Sequence, residues 1–211
     1  MLSLAFLIGS SLSLSKSLYD LSILIVKSIF SASSVPAIEL AKQLSDLAAK
    51  EYGCDESPLP HVFFSDNGST AVEVALKISL QYQINIGEQE RTRFLCFTDA
   101  YHGDTGTTLT LGGVELFRKT FEPITFEVVR ADYPICARPD QGPTPCEAEA
   151  YTQARASLEA TFAQHGKQLA AAVIEPGCQG AGGVRPLHPG YLQALRELCD
   201  QYGVLLIADE I

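Results

Sequence analysis

The chain has 211 residues, 46% hydrophobic and 19% charged, which suits a substantial folded core and not a disordered chain. Its net charge of −10, with no basic run or stripe, argues against a nucleic-acid footprint. The six cysteines (Cys54, Cys96, Cys136, Cys146, Cys178, Cys199) contain no C-x-x-C pair, and the four histidines are too dispersed for a ligand motif, so neither a disulfide framework nor a metal centre is expected.

Residues 1 to 34 differ from the rest of the chain. They are rich in Leu, Ile and Ser, and only Lys16, Asp20 and Lys27 are charged. Leu2 to Ile8 is too short for a membrane span, and Lys27 interrupts Leu21 to Phe30. No basic region precedes the first apolar run, so a secretory signal is not expected. The segment reads as an atypical N-terminal stretch, foreign to the domain that fills residues 35 to 211.

Pro36 opens a helix. Its apolar stripe of Leu40, Leu44 and Leu47 runs to about Tyr52, and Gly53 with Pro58 and Pro60 ends it. His61 to Phe64 is a strand that feeds a polar turn, Ser65 to Ser69. A helix comes next, marked by Val72, Ala75, Leu76 and Leu80. Thr70 and Glu73 have capping-box spacing. Such a turn is either a plain capped connection or a phosphate cradle, because a helix start aims unpaired N–H groups outward.

Asn85 to Arg91 is a polar connection, and Phe94 to Phe97 a buried strand that ends in Asp99-Ala-Tyr-His-Gly-Asp-Thr105. Phe126 to Val129 is another strand, and Tyr133 to Pro145 a proline-dense loop. Tyr151, Ala154, Leu158 and Phe162 mark a helix. Leu169 to Ile174 is a strand ending in Glu175-Pro176, and Gln179 to Gly183 is a flexible turn. Tyr191, Leu195, Leu198 and Tyr202 mark the last helix, and Val204 to Ala208 the last strand, closed by Asp209. Cys96, Cys178 and Cys199 lie in or beside apolar stretches and read as buried small hydrophobes.

Strands and helices alternate from residue 61 onward. The short, wholly apolar strands predict an α/β domain whose mainly parallel sheet is covered by helices on both faces. Ligands of such sheets sit outside the carboxyl ends of the strands. The unusual polar groups gather there: Gly68 and Ser69, Tyr101, His102, Glu175 and Asp209. A carboxylate at a buried strand end needs a partner. Asp209 serves either as a cap or internal ion pair, or as an anion held against a cationic ligand group such as a protonated pyridine nitrogen. Pyridoxal phosphate is a carbanion sink that needs such an anion, a phosphate cradle and a flat side chain against its ring. Glu175 has the chemistry of a general base, or simply marks the turn at Pro176.

At these residues the chain resembles the class III aminotransferases, pyridoxal 5'-phosphate enzymes of the type I aminotransferase fold. The matching stretches are Pro36-Ala-Ile-Glu-Leu40, Val62 to Lys77, Ala100-Tyr-His-Gly-Asp-Thr105, Ile174-Glu-Pro176 with Gln179-Gly-Ala-Gly-Gly183, and Leu205 to Ile211. The combination of Tyr-His-Gly-Asp-Thr with Gln-Gly-Ala-Gly-Gly is particular to the biotin-synthesis branch. The resemblance implies that Gly68 and Ser69 hold the cofactor phosphate and that Asp209 pairs with the pyridine nitrogen. It puts Tyr101 over the ring and near the substrate, His102 and Gly103 in the same wall, and Glu175 near the ring hydroxyl. It also implies amino transfer from S-adenosylmethionine to 8-amino-7-oxononanoate, giving 7,8-diaminononanoate, in a cytoplasmic homodimer. Alternatives are another class III enzyme acting on an ω-amino acid, or a non-catalytic fragment that binds or dimerises. The family's Schiff-base lysine lies beyond the Asp-Glu motif, and Lys77, Lys119 and Lys167 do not stand in its context. The chain is therefore expected to be a truncated large domain that does not turn over substrate alone.

Overall fold

The computed structural model describes residues 4–8, 23–27, 34–53, 59–135 and 146–210. Helix α1 (Val35–Tyr52) starts where Ser34 accepts a hydrogen bond from the Ala37 amide and stops at Gly53, whose left-handed backbone (φ 66°) returns its N–H to the last turn. Strand β3 (His61–Ser65) leads into α2 (Gly68–Asn85), and β4 (Arg93–Phe97) into the short α3 (Gly106–Leu111) and α4 (Glu115–Arg118). After β5 (Val129–Ala131) come α5 (Cys146–His165), β6 (Leu169–Ile174), the two-residue strands β7 (Cys178–Gln179) and β8 (Arg185–Pro186), α6 (Pro189–Tyr202) and β9 (Leu205–Glu210).

Two further strands precede these, β1 (Leu4–Ile8) and β2 (Ile23–Lys27). The main sheet has seven strands in the order β3-β2-β1-β9-β6-β4-β5. All neighbours are parallel except β1, which runs antiparallel to both β2 and β9. The sequence offered no strand before residue 61, whereas the backbone of β1 and β2 fills the positions between β9 and β3.

Side chains of β4, β6 and β9 alternate between two cores. Leu95, Phe97, Ala172, Ile174 and Leu206 pack with Leu158, Phe162, Tyr191 and Leu195 of α5 and α6. Phe94, Cys96, Ala171, Val173, Leu205 and Ile207 pack with Ala71, Val72, Ala75 and Leu76 of α2. Both faces are covered, which is why these strands read as unbroken apolar runs. The amino ends of β6 and β9 are tied by Arg91, which donates to the carbonyls of Gly166, Leu169 and Tyr202. The carboxyl ends are left for other work.

Four local expectations are corrected. The capping box is formed by Asn67 and Thr70, not Thr70 and Glu73, because the helix begins three residues earlier. Glu73 instead accepts from Thr105. Strand β5 lies at Val129–Ala131 and not Phe126 to Val129, since only there does the chain run beside Leu95–Phe97. Strand β9 continues through Asp209, pairing with β1 as far as Glu210. Cys96 and Cys199 are buried, but Cys178 on β7 is only half-buried. Cys54, Pro58, Cys136 and the rest of the proline-dense loop fall outside the described residues. Among the described residues, no group of three or more His, Cys, Asp or Glu could hold a metal, and no helix is long and apolar enough to cross a membrane.

Candidate active site

The carboxyl ends of β3, β4, β6 and β9 lie along one edge of the sheet, and the loops that leave them converge there. The β3–α2 turn comes first. Asn67 accepts from the Thr70 amide at 2.9 Å, and Thr70 Oγ1 accepts from the Asn67 amide at 3.3 Å. The Ala71 amide turns back to the Asn67 carbonyl. The amides of Gly68 and Ser69 have no partner among the described residues, so this helix start presents open donors at the positive end of its dipole.

The loop after β4 packs directly on that start. Gly103 has φ +113°, and a Cβ there would lie 2.7 Å from Ser69 Cβ and closer still to Ser69 Oγ. Only glycine fits the backbone and the space together. One residue earlier, His102 Nδ1 lies 2.7 Å from Asp209 Oδ2, joining positions 107 residues apart. Both side chains are buried. Asp209 Oδ1 and His102 Nε2 are buried polar atoms without a hydrogen-bond partner. Such orphans are costly in a core unless something outside the chain satisfies them.

Tyr101 sits at the outer side of the loop. Its hydroxyl donates to Asp104 at 2.8 Å, and its ring meets Phe117 edge-on at 5.6 Å between centroids. Partial burial and the neighbouring Asp104 carboxylate push the phenol up to about 12, so it stays protonated. Glu175, at the end of β6, uses both carboxylate oxygens. One accepts from the Tyr101 amide and the other from the Gly180 amide, each at 2.8 Å. Its main-chain carbonyl accepts from the Tyr133 hydroxyl. Burial raises its carboxyl above the ordinary 4.5, and the two amides pull it part of the way back.

Gly68, Ser69, Tyr101, His102, Glu175 and Asp209 are thus joined through the single stretch Tyr101 to Gly103. Sequence reasoning missed the residues that hold this stretch from behind. Gln179 donates to the Thr98 carbonyl at 2.7 Å, and Arg185 pairs with Asp99, a non-glycine residue at φ 56°. A Cβ at Gly182 would overlap the Asp99 carbonyl oxygen. The turn read as flexible is therefore packed. Its repeated glycines were the available signal, since glycine also marks close backbone approach. Lys42, Lys50, Lys77, Lys119 and Lys167 are exposed, and none bonds to this cluster.

Residues 19–211 match the family model for class-III aminotransferases, starting inside the N-terminal stretch that the sequence set apart. Among curated relatives, the adenosylmethionine-8-amino-7-oxononanoate aminotransferase of Geobacter sulfurreducens is 42% identical over 178 residues, covering 83% of this chain and 37% of the relative. The enzyme of that name from Synechococcus elongatus is 42% identical over 176 residues, covering 83% and 38%. The solved structure of the Methanocaldococcus jannaschii enzyme of that name superposes with a TM-score of 0.68 at 28% identity, covering 85% of this chain and 36% of that one. An amine transaminase from an uncultivated Pseudomonas species, in its PLP-bound form, gives 0.71 at 31% identity, covering 85% and 39%. The chain spans less than two fifths of the length of these proteins. On a family match that extends from residue 19 to residue 211, the chain belongs to the class-III aminotransferases.

Proposed function

We propose that this chain carries the cofactor-facing part of a transaminase that moves an amino group from S-adenosylmethionine to 8-amino-7-oxononanoate, with pyridoxal phosphate as cofactor. The observation that carries the cofactor assignment is the buried, unpartnered Asp209 Oδ1 on the same loop system as the open amides of Gly68 and Ser69. A ligand with a phosphate at one end and a protonated ring nitrogen at the other satisfies both ends. The residues present fit that group. When bound, it supplies an electron sink for the carbon that bears the amino group.

The chain's own residues would divide the remaining work. The amides of Gly68 and Ser69 would hold the phosphate. Asp209 Oδ1 would accept the ring N–H, and His102 fixes the carboxylate through Oδ2. Tyr101, protonated and braced on Phe117 and Asp104, would stand as one wall of the substrate space. Both oxygens of Glu175 are engaged by main-chain amides, so it orients this wall and does not serve as a free base. None of the five exposed lysines reaches the cluster, so the amine for covalent chemistry would come from elsewhere. The substrates, a homodimeric assembly and a cytoplasmic location are supported by the names of the relatives and by the Tyr-His-Gly-Asp-Thr and Gln-Gly-Ala-Gly-Gly stretches.

The cofactor assignment is tested by titrating the chain with pyridoxal phosphate and following its absorbance. Asp209→Asn should bind about ten to a hundred times more weakly, the factor for losing one charge-assisted hydrogen bond. Equal affinity in the two proteins would refute the assignment. The substrate assignment is tested by expressing the full natural reading frame in a biotin auxotroph that lacks this amino-transfer step. Growth without biotin is expected. Growth only when the medium is supplemented, with transfer from ω-amino acids seen in extracts, would move the assignment to the other branch.

A further inference from the structure

The geometry points to Glu175 and the Gln179–Gly183 turn as one clamp whose task is to set the position of Tyr101, His102 and Gly103 against α2 and Asp209. The inference rests on the proposed cofactor only for its ligand. The clamp grips the loop from four sides. Glu175 Oε1 takes the Tyr101 amide, and Glu175 Oε2 takes the Gly180 amide, so one carboxylate bridges the two loops. Gln179 Nε2 takes the Thr98 carbonyl. Arg185 pairs with the Asp99 carboxylate. Gly182 lies so close to the Asp99 carbonyl that no side chain fits between them.

Each contact falls within three residues of Tyr101, and none falls on the atoms that face the ligand. A carboxylate with both oxygens bound to amides has no lone pair free along those directions, so Glu175 is a positioning residue and not a proton carrier. The loop it holds has its own tight fit at the far end, where Gly103 touches Ser69. A shift at the clamp therefore passes to the His102–Asp209 pair and to the start of α2, because a packed loop does not deform continuously. The residues between Gln179 and Gly183 would influence ligand preference through this placement, without contacting the ligand.

The test uses the full 211-residue chain, the variants Glu175→Gln and Gly182→Ala, and their double variant. Gly106→Ala is the control, since a Cβ there meets open space. The first readout is the imidazole nitrogen NMR signature of His102 without ligand. Both single variants should shift it, and the double variant should fall short of the sum of the two, because the residues act on one loop. The control should leave it in place. The second readout is affinity for pyridoxal phosphate against inorganic phosphate. Each single variant should lose about tenfold for the former and keep the latter, whose site at the helix start is not displaced. His102 resonances unchanged in both variants would overturn the clamp. Equal losses for both ligands would also overturn it, since general loosening does that. Should the wild-type chain take up no pyridoxal phosphate, the cofactor reading falls while the His102 signature still decides the clamp.

Discussion

Replacing Gly103 with Ala tests whether the loop and the helix start are packed as one unit. The new methyl meets two separate penalties. The backbone at φ +113° is a region that side chains rarely adopt, with a cost of about 1–3 kcal/mol. The Cβ also meets Ser69, with Ser69 Cβ at 2.7 Å and Cα at 3.0 Å, so the flexible hydroxyl is not the only atom in the way. Overpacking of this kind costs about 1–3 kcal/mol. Taking about 2 kcal/mol for each, the variant should lose about 4 kcal/mol, a drop in Tm of about 8–16 °C for a chain of this size. Thermal and urea unfolding of the variant and wild type would measure it. Adding Ser69→Gly removes the clash but not the backbone strain, so the double variant should recover about half. A Gly103→Ala protein within about 0.5 kcal/mol of wild type, or no recovery in the double variant, would refute the argument.

Further outcomes come from burial and charge. Burial pushes the Cys96 and Cys199 thiols up to about 12, so iodoacetamide at neutral pH should label Cys178 well before either, and those two only on unfolding. Glu175 has a folded-state pKa above its ordinary 4.5, so the folded chain binds that proton more tightly than the unfolded one. Its contribution is complete below 4.5 and is lost as pH rises through the raised value; urea midpoints should fall over that window in wild type and less in Glu175→Gln. The Tyr101 phenol, held up to about 12, should ionise after the exposed tyrosines in an ultraviolet titration, and Asp104→Asn should bring it earlier.

How much could be read from the chain depended on distance along it. Helices α1, α5 and α6 and strands β3, β4 and β6 arise from local periodicity, caps and apolar runs, all within a few residues of one another. The N-cap of α2 went to the wrong pair because two overlapping capping patterns exist, and the choice between them is made by where the strand stops. Strand β5 was misplaced because its limits are set by its neighbour: Val129 to Ala131 form a strand only beside Leu95 to Phe97. The site residues were visible as polar groups at strand ends. Their mutual bonds were not, since Asp209 and His102, or Glu175 and Tyr101, meet only after the sheet has ordered its strands.

The His102–Asp209 pair also bears on why the site looks as it does. A buried carboxylate with one oxygen bonded and the other orphaned contributes little to folding, and a well-packed apolar pair of similar volume would serve stability at least as well. The surrounding core keeps such orphans to a handful, so this one is not a sign of loose packing. Strand β9 could have ended at Ala208 with all its apolar contacts made; it runs on through Asp209, paired along its backbone with β1 and β6 on either side up to that edge. The backbone thereby holds the carboxylate rigidly, and His102 fixes one oxygen so that the other has a single direction. Rigid placement of an unsatisfied anion is a poor way to stabilise a sheet and a good way to bind a cationic ring nitrogen, which is the argument for reading this strand end as a ligand site.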